Sequence, residues 1–150
     1  MATNKNQERL SCIQLQMPTG VAIASGVLVL FGRSQTSATN PMAGVTQDAQ
    51  PASFNPLVPY DSNSGYLTVD FEGVYNLSVS AFASKSPSAG AQIRPGDAIY
   101  ADGGTFDVNT GITYNNSLDC DSNGTFVGRA LDGIAAGQTA TIRVVLRNAA

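Results

Sequence analysis

A chain of 150 residues is long enough to bury a real core as one domain, and its apolar share of 43% is ordinary. Charged residues make up 13%, about half the usual ~25%. Net charge is −3, with lysine only at positions 5 and 85 and no histidine anywhere. That balance argues against nucleic acid as a direct partner, which needs clustered Lys and Arg, and removes Ser–His and Cys–His nucleophile pairs.

Residues 1–10 are almost wholly polar and predict a flexible N-terminal arm, with residues 11–150 as a single β-domain. No apolar leader is visible in the arm, so synthesis in the cytoplasm is expected. Cys12-Ile-Gln-Leu-Gln-Met17 alternates apolar and polar residues, the pattern of a half-buried strand. Pro18-Thr-Gly20 reads as a turn. Val21 to Ala24 and Val27 to Phe31 are β-branched runs broken at Ser25-Gly26, so two short strands fit better than a helix. The whole apolar stretch is too short to span a membrane.

Gly32 to Gln50 reads as a loop with one short strand at Ala43–Thr46. Pro51, Pro56 and Pro59 exclude a helix interior or central strand between Gln50 and Tyr60. That crossing offers Phe54, Leu57 and Tyr60 to the core or to a neighbouring subunit. Asp61 to Gly65 is a turn cluster. Tyr66–Phe71 and Val74–Val79 predict paired strands around a bend or bulge at Gly73. Ser84 to Gly90 is a connection.

Ala98–Tyr100, Thr105–Val108, Thr125–Val127 and Thr139–Leu146 predict four further strands. The intervening Asp102-Gly-Gly104, Asn115-Asn116 and Asn123-Gly124 have tight-turn chemistry. Ala130 to Ala136 allows a helical turn at most. In the last strand Ile142, Val144 and Leu146 share one side. Val145, on the other, predicts partial burial there too. No internal repeat is evident. The fold class expected is all-β, a compact antiparallel barrel or sandwich with long loops.

Chemistry is sparse. Neither lysine follows a Gly-rich phosphate loop. Asp70 and Glu72 flank a strand end and read as a solvated face rather than a glycosidase pair. Asp97, Asp102 and Asp107 read as turn residues that accept backbone N–H groups. Asp119-Cys-Asp-Ser-Asn-Gly124 supports two readings, a hairpin turn or the first half of a calcium loop with Asp119, Asp121 and Asn123 as ligands. The twelfth position of such a loop is Ala130, not the usual Glu. Cys12 and Cys120 are expected as free, partly buried thiols, with a single bridge as the alternative. The sequons at Asn76, Asn115 and Asn123 read as chance matches. No catalytic residue and no cofactor is expected.

Four segments in order carry a family resemblance: Gly73-Val-Tyr-Asn-Leu77, Ile93-Arg-Pro-Gly-Asp-Ala-Ile-Tyr100, Thr125-Phe-Val-Gly-Arg-Ala-Leu131 and Ala136-Gly-Gln-Thr-Ala-Thr-Ile-Arg-Val-Val-Leu146. Across roughly residues 70–147 the chain resembles the head decoration, or capsid cement, proteins of tailed bacteriophages. The resemblance implies a β-tulip-like barrel that binds the outside of an assembled head. It further implies a homotrimer bridging major capsid protein subunits, without chemistry, nucleic acid or membrane. Lys5, Arg9, Phe54, Leu57 and Tyr60 are the expected contacts. A tail, fibre or baseplate β-module is the alternative, and a carbohydrate-binding module a more distant one. With no Trp and eleven Phe and Tyr, the chain offers little for sugar stacking.

Overall fold

The computed structural model describes residues 12–32, 41–52, 65–82 and 91–147. The expected arm and the expected contacts Lys5, Arg9, Phe54, Leu57 and Tyr60 lie outside them. Among the described residues nine strands run in chain order: β1 (Cys12–Gln16), β2 (Leu28–Phe31), β3 (Met42–Thr46), β4 (Tyr66–Asp70), β5 (Gly73–Ser80), β6 (Ala98–Phe106), β7 (Thr113–Asp119), β8 (Thr125–Ala130) and β9 (Thr139–Leu146). No helix occurs among the described residues.

Five strands close a barrel in the order β7–β6–β8–β9–β5, and β5 returns to β7 through one parallel pair, Ser80 with Asp119. The other four form a flank ordered β1–β4–β3–β2, which joins β7 where Leu30 pairs with Thr113. The expected all-β barrel is therefore present, with extra strands on one side.

Alternation decides which way each strand faces. Leu77 and Val79 of β5, Ile142, Val144 and Leu146 of β9, and Ile99 and Ala101 of β6 fill the barrel core. A second cluster under the flank gathers Met17, Ile23, Leu67, Val69 and Ile112. β2 serves both: Leu28 and Leu30 join the barrel core, while Val29 and Phe31 join the flank core. All four residues are buried.

A four-residue unit recurs three times. Ile23-Ala-Ser-Gly26, Ile93-Arg-Pro-Gly96 and Ile134-Ala-Ala-Gly137 each place an isoleucine in an isolated bridge, then turn through a glycine at φ 77°, 97° and 74°. A strand begins two residues after each glycine. In the second unit Pro95 and Gly96 occupy the centre of a turn closed by Asp97 N–H donating to Arg94 O at 3.0 Å, with Arg94 N–H donating to Asp97 Oδ2 at 2.8 Å. Proline presets φ and glycine supplies the left-handed residue this turn requires. The unit is too short to show as a sequence period, which is why no repeat was expected.

Several expected turns are strand instead. Asp102-Gly103-Gly104 and Asn115-Asn116 do not reverse the chain; they lie opposite one another inside the β6–β7 ladder. Gly103, Gly104 and Asn115 adopt φ of 65°, 77° and 56°, so left-handed residues are absorbed as a kink within paired strands. A side chain at Gly104 would sit 2.6 Å from Asn116 Oδ1 and 2.9 Å from Tyr114 O. The reversal lies further on, where Asp107 N–H donates to Ile112 O at 2.9 Å and the Asp107 carboxylate accepts from Thr110 N–H and Oγ1. Val108 is accordingly in the turn, not in a strand. Val21–Ala24 forms no strand; Ile23 alone bridges to Gln50. Ala130 ends β8, and no helical turn follows it.

Candidate functional site

The outward side of the barrel carries a cluster of aromatic and arginine side chains around the β6–β8 pair. Ile99 pairs with Gly128 but Tyr100 pairs with Phe126, so Val127 is an extra residue at a bulge. The bulge keeps Val127 in the core and leaves Phe126 and Arg129, three positions apart, on the same outer face. Tyr100 and Phe126 meet edge to face with ring centroids 5.9 Å apart. The Arg129 guanidinium lies 6.0 Å from the Phe126 centroid and donates to Gly96 O at 2.9 Å. Aromatic pairs favour this edge arrangement, and the cation contact lies at the limit of useful range.

Arg129 sits beside Val145, and Val145 beside Val74 across β9 and β5. Val145 is half-buried, as its apolar character predicts, while Val74 is 53% exposed. Next along β9, Arg143 grips Asp132: Nε to Oδ2 at 3.0 Å, Nη2 to Oδ1 at 2.7 Å, and backbone N–H to Oδ2 at 2.9 Å. The guanidinium bonds, and then the backbone N–H, pull the Asp132 carboxyl down to about 2. Arginine and aromatic side chains set beside half-buried Val145 and exposed Val74 match the aromatic and arginine enrichment of protein interfaces. Sequence reading missed this face because a strict two-residue period puts Phe126 and Arg129 on opposite sides, and only the bulge brings them together.

A groove of about 490 Å³ opens between the turn before β2, the middle of β5 and the kink of β7. Leu28, Leu77 and Leu118 are among its lining residues, with Asn76, Ser78 and Asn115. Among the described residues no charged side chain lines it.

The calcium-loop residues lie at the β7–β8 connection. Asp119 and Asp121 are buried. Asp119 Oδ1 accepts from Asp121 N–H at 2.9 Å, and Asp121 Oδ1 accepts from Asn123 N–H and Nδ2 at 3.1 and 2.8 Å. These bonds make the segment a sequence of side-chain-supported turns. It is not a two-strand hairpin, because β7 and β8 flank β6 rather than pair with each other. Among the described residues no group of three or more His, Cys, Asp or Glu side chains is arranged to hold a metal ion.

Asp70 Oδ2 accepts from Tyr75 OH at 2.9 Å. Burial, then this bond, pushes the phenol up to about 12. Glu72 is exposed. Both cysteines are free. Cys12 is exposed rather than partly buried because it opens the edge strand β1. Cys120 is half-buried, with Sγ 3.1 Å from Phe82 O, and burial raises its thiol above the ordinary value.

Neither curated proteins nor solved structures yield a match to this chain. The family described as phage cement protein matches residues 7–146, a span that takes in the barrel, the flank and the outer arginine–aromatic face. That family is structural and its role is capsid stabilisation. With nearly the whole length covered, the chain belongs to the phage cement protein family.

Proposed function

We propose that this protein binds the outer surface of the assembled phage head and bridges neighbouring major capsid protein subunits, as a homotrimer. It is held in the host cytoplasm before it docks. The observation that carries this reading is the outward face of Tyr100, Phe126, Arg129, Val145 and Val74, mounted on a closed barrel. A barrel resists deformation, so side chains fixed on it meet a partner with little ordering cost. Many weak copies on one shell sum to a strong clamp, since each engagement raises the effective concentration of the next. Nothing in this mechanism requires a bond to form or break.

The domain organisation proposed is an arm at residues 1–10 followed by one β-domain over 11–150. Lys5 and Arg9 of the arm and Phe54, Leu57 and Tyr60 of the proline-rich crossing supply further contacts around the barrel face. Calcium at Asp119, Asp121 and Asn123 is not needed for the clamp.

The test is co-sedimentation with purified expanded heads, followed by reconstruction of the decorated particles. Wild-type protein is expected at local three-fold positions on the outer surface. Phe126→Ala and Arg129→Glu are expected to weaken binding at least tenfold while the protein stays folded. Failure of the wild-type protein to bind heads, or density on the tail instead, overturns the reading.

A further inference from the structure

We propose that the groove between β5 and β7 receives a short extended segment of the shell protein as an added strand. The inference rests on the capsid-binding reading above and names one way the two proteins hold each other.

The argument begins with ladder edges. β5 pairs with β9 along one edge through all eight of its residues. On its other edge the described partner is Asp119 alone, at Ser80. β7 is paired along one edge by β6. Its other edge meets Leu30 at Thr113 and Ser80 at Asp119, and among the described residues no strand is paired there over 114–118. Two strands thus diverge with facing edges that no described strand pairs, and the groove lies in the opening. Unpaired edges are templates for another strand, and main-chain bonding to such an edge is a standard way to bind an extended peptide.

Size sets how much chain enters. One residue of a paired, packed strand occupies roughly 160 Å³, from a rise of ~3.4 Å, a strand spacing of ~4.8 Å and a sheet spacing of ~10 Å. The groove's volume of about 490 Å³ therefore suits a short segment rather than a long one.

Lining sets the chemistry. With no charged side chain among the described residues of the groove, a charged segment would lose hydration there without a counter-charge. Leu28, Leu77 and Leu118 favour one small apolar side chain directed inward. Asn76, Ser78 and Asn115 are exposed and favour neutral polar neighbours on either side of it. The occupant is an uncharged, extended stretch with small side chains.

The groove is also held in shape before anything enters. The Asn116 Nδ2 amide donates to Thr113 O at 3.0 Å and fixes the kink of β7. On the opposite wall Thr46 Oγ1 donates to Ala24 O at 2.7 Å, and Gly26 N–H donates to Thr46 O at 2.7 Å. A preformed slot avoids the cost of ordering on binding.

Hydrogen exchange of the protein, free and bound to purified expanded heads, tests this. Amides in 76–78 and 114–118 that face the groove should exchange readily in the free protein. They should slow at least tenfold on heads, while Val127 and Val144 stay protected throughout. Ser78→Arg places a charge at the rim and should cut head affinity at least tenfold with an unchanged melting temperature. If heads bind but neither segment gains protection, or Ser78→Arg binds as wild type, the strand proposal is overturned and the capsid-binding reading stands. If heads do not bind, both fall. Equal protection by soluble oligosaccharides alone would make the groove a sugar site and overturn the proposal.

Discussion

Ile93 and Ile134 bind each other reciprocally: each backbone N–H donates to the other's carbonyl oxygen at 2.9 Å. This bridge ties the turn before β6 to the turn before β9, and both side chains are buried in the barrel core. Ile134→Ala keeps the backbone bonds and removes the packing, and is expected to cost about 2–5 kcal/mol of stability. Ile134→Val should cost about 0.5–1.5 kcal/mol. Urea unfolding monitored by tyrosine fluorescence measures both.

Gly128 lies where β8 passes closest to β9, and a Cβ there would collide with Val145 O. The obstacle is backbone in a ladder and cannot turn aside. Gly128→Ala is therefore expected to destabilise well beyond the ~1 kcal/mol centre of ordinary substitutions. Gly20→Ala meets no neighbouring atom and carries only the strain of its φ of 75°, so its loss should be smaller. Paired thermal melts compare the two.

Asp132 gives the fold an acid-sensitive contact. Its carboxyl is held at about 2, below the ordinary 3.8, by Arg143. A group depressed in the folded state stabilises above its unfolded value. Its contribution is thus complete above about pH 4 and lost as pH falls through about 2. Because the pair is exposed, the effect should be small and reduced by salt. Melting temperatures from pH 2 to pH 5 should fall less steeply for Asp132→Asn than for wild type.

The two thiols should react at different rates. Cys12 is exposed on an edge strand, whereas Cys120 is half-buried with a thiol raised by burial. Thiolate is the reactive form, so a disulfide reagent should label one cysteine quickly and the second slowly. Cys12→Ser should abolish the fast phase, and unfolding should equalise the pair.

Local chemistry was legible in the sequence and long-range placement was not. Pro95-Gly96-Asp97 reads as a turn because its three residues contribute φ, handedness and a carboxylate within one short segment. Thr139–Leu146 reads as a strand because Ile142, Val144 and Leu146 recur at every second position. Asp102-Gly103-Gly104 misleads because left-handed residues signal a reversal whether they end a ladder or kink one, and only the facing Asn115 decides. Phe126 and Arg129 share a face through one extra residue at a bulge whose partner, Tyr100, is far away in sequence. The groove is less legible still, since it is made by where β5 stops pairing with β7.

The burial of β2 on both sides has a mechanical meaning. Val29 and Phe31 press on the flank core while Leu28 and Leu30 press on the barrel, so one strand is the common wall of two compartments. A pull on the β1–β4–β3 flank cannot be relieved there without shearing side chains out of the barrel. Tension entering at one compartment is therefore carried by both.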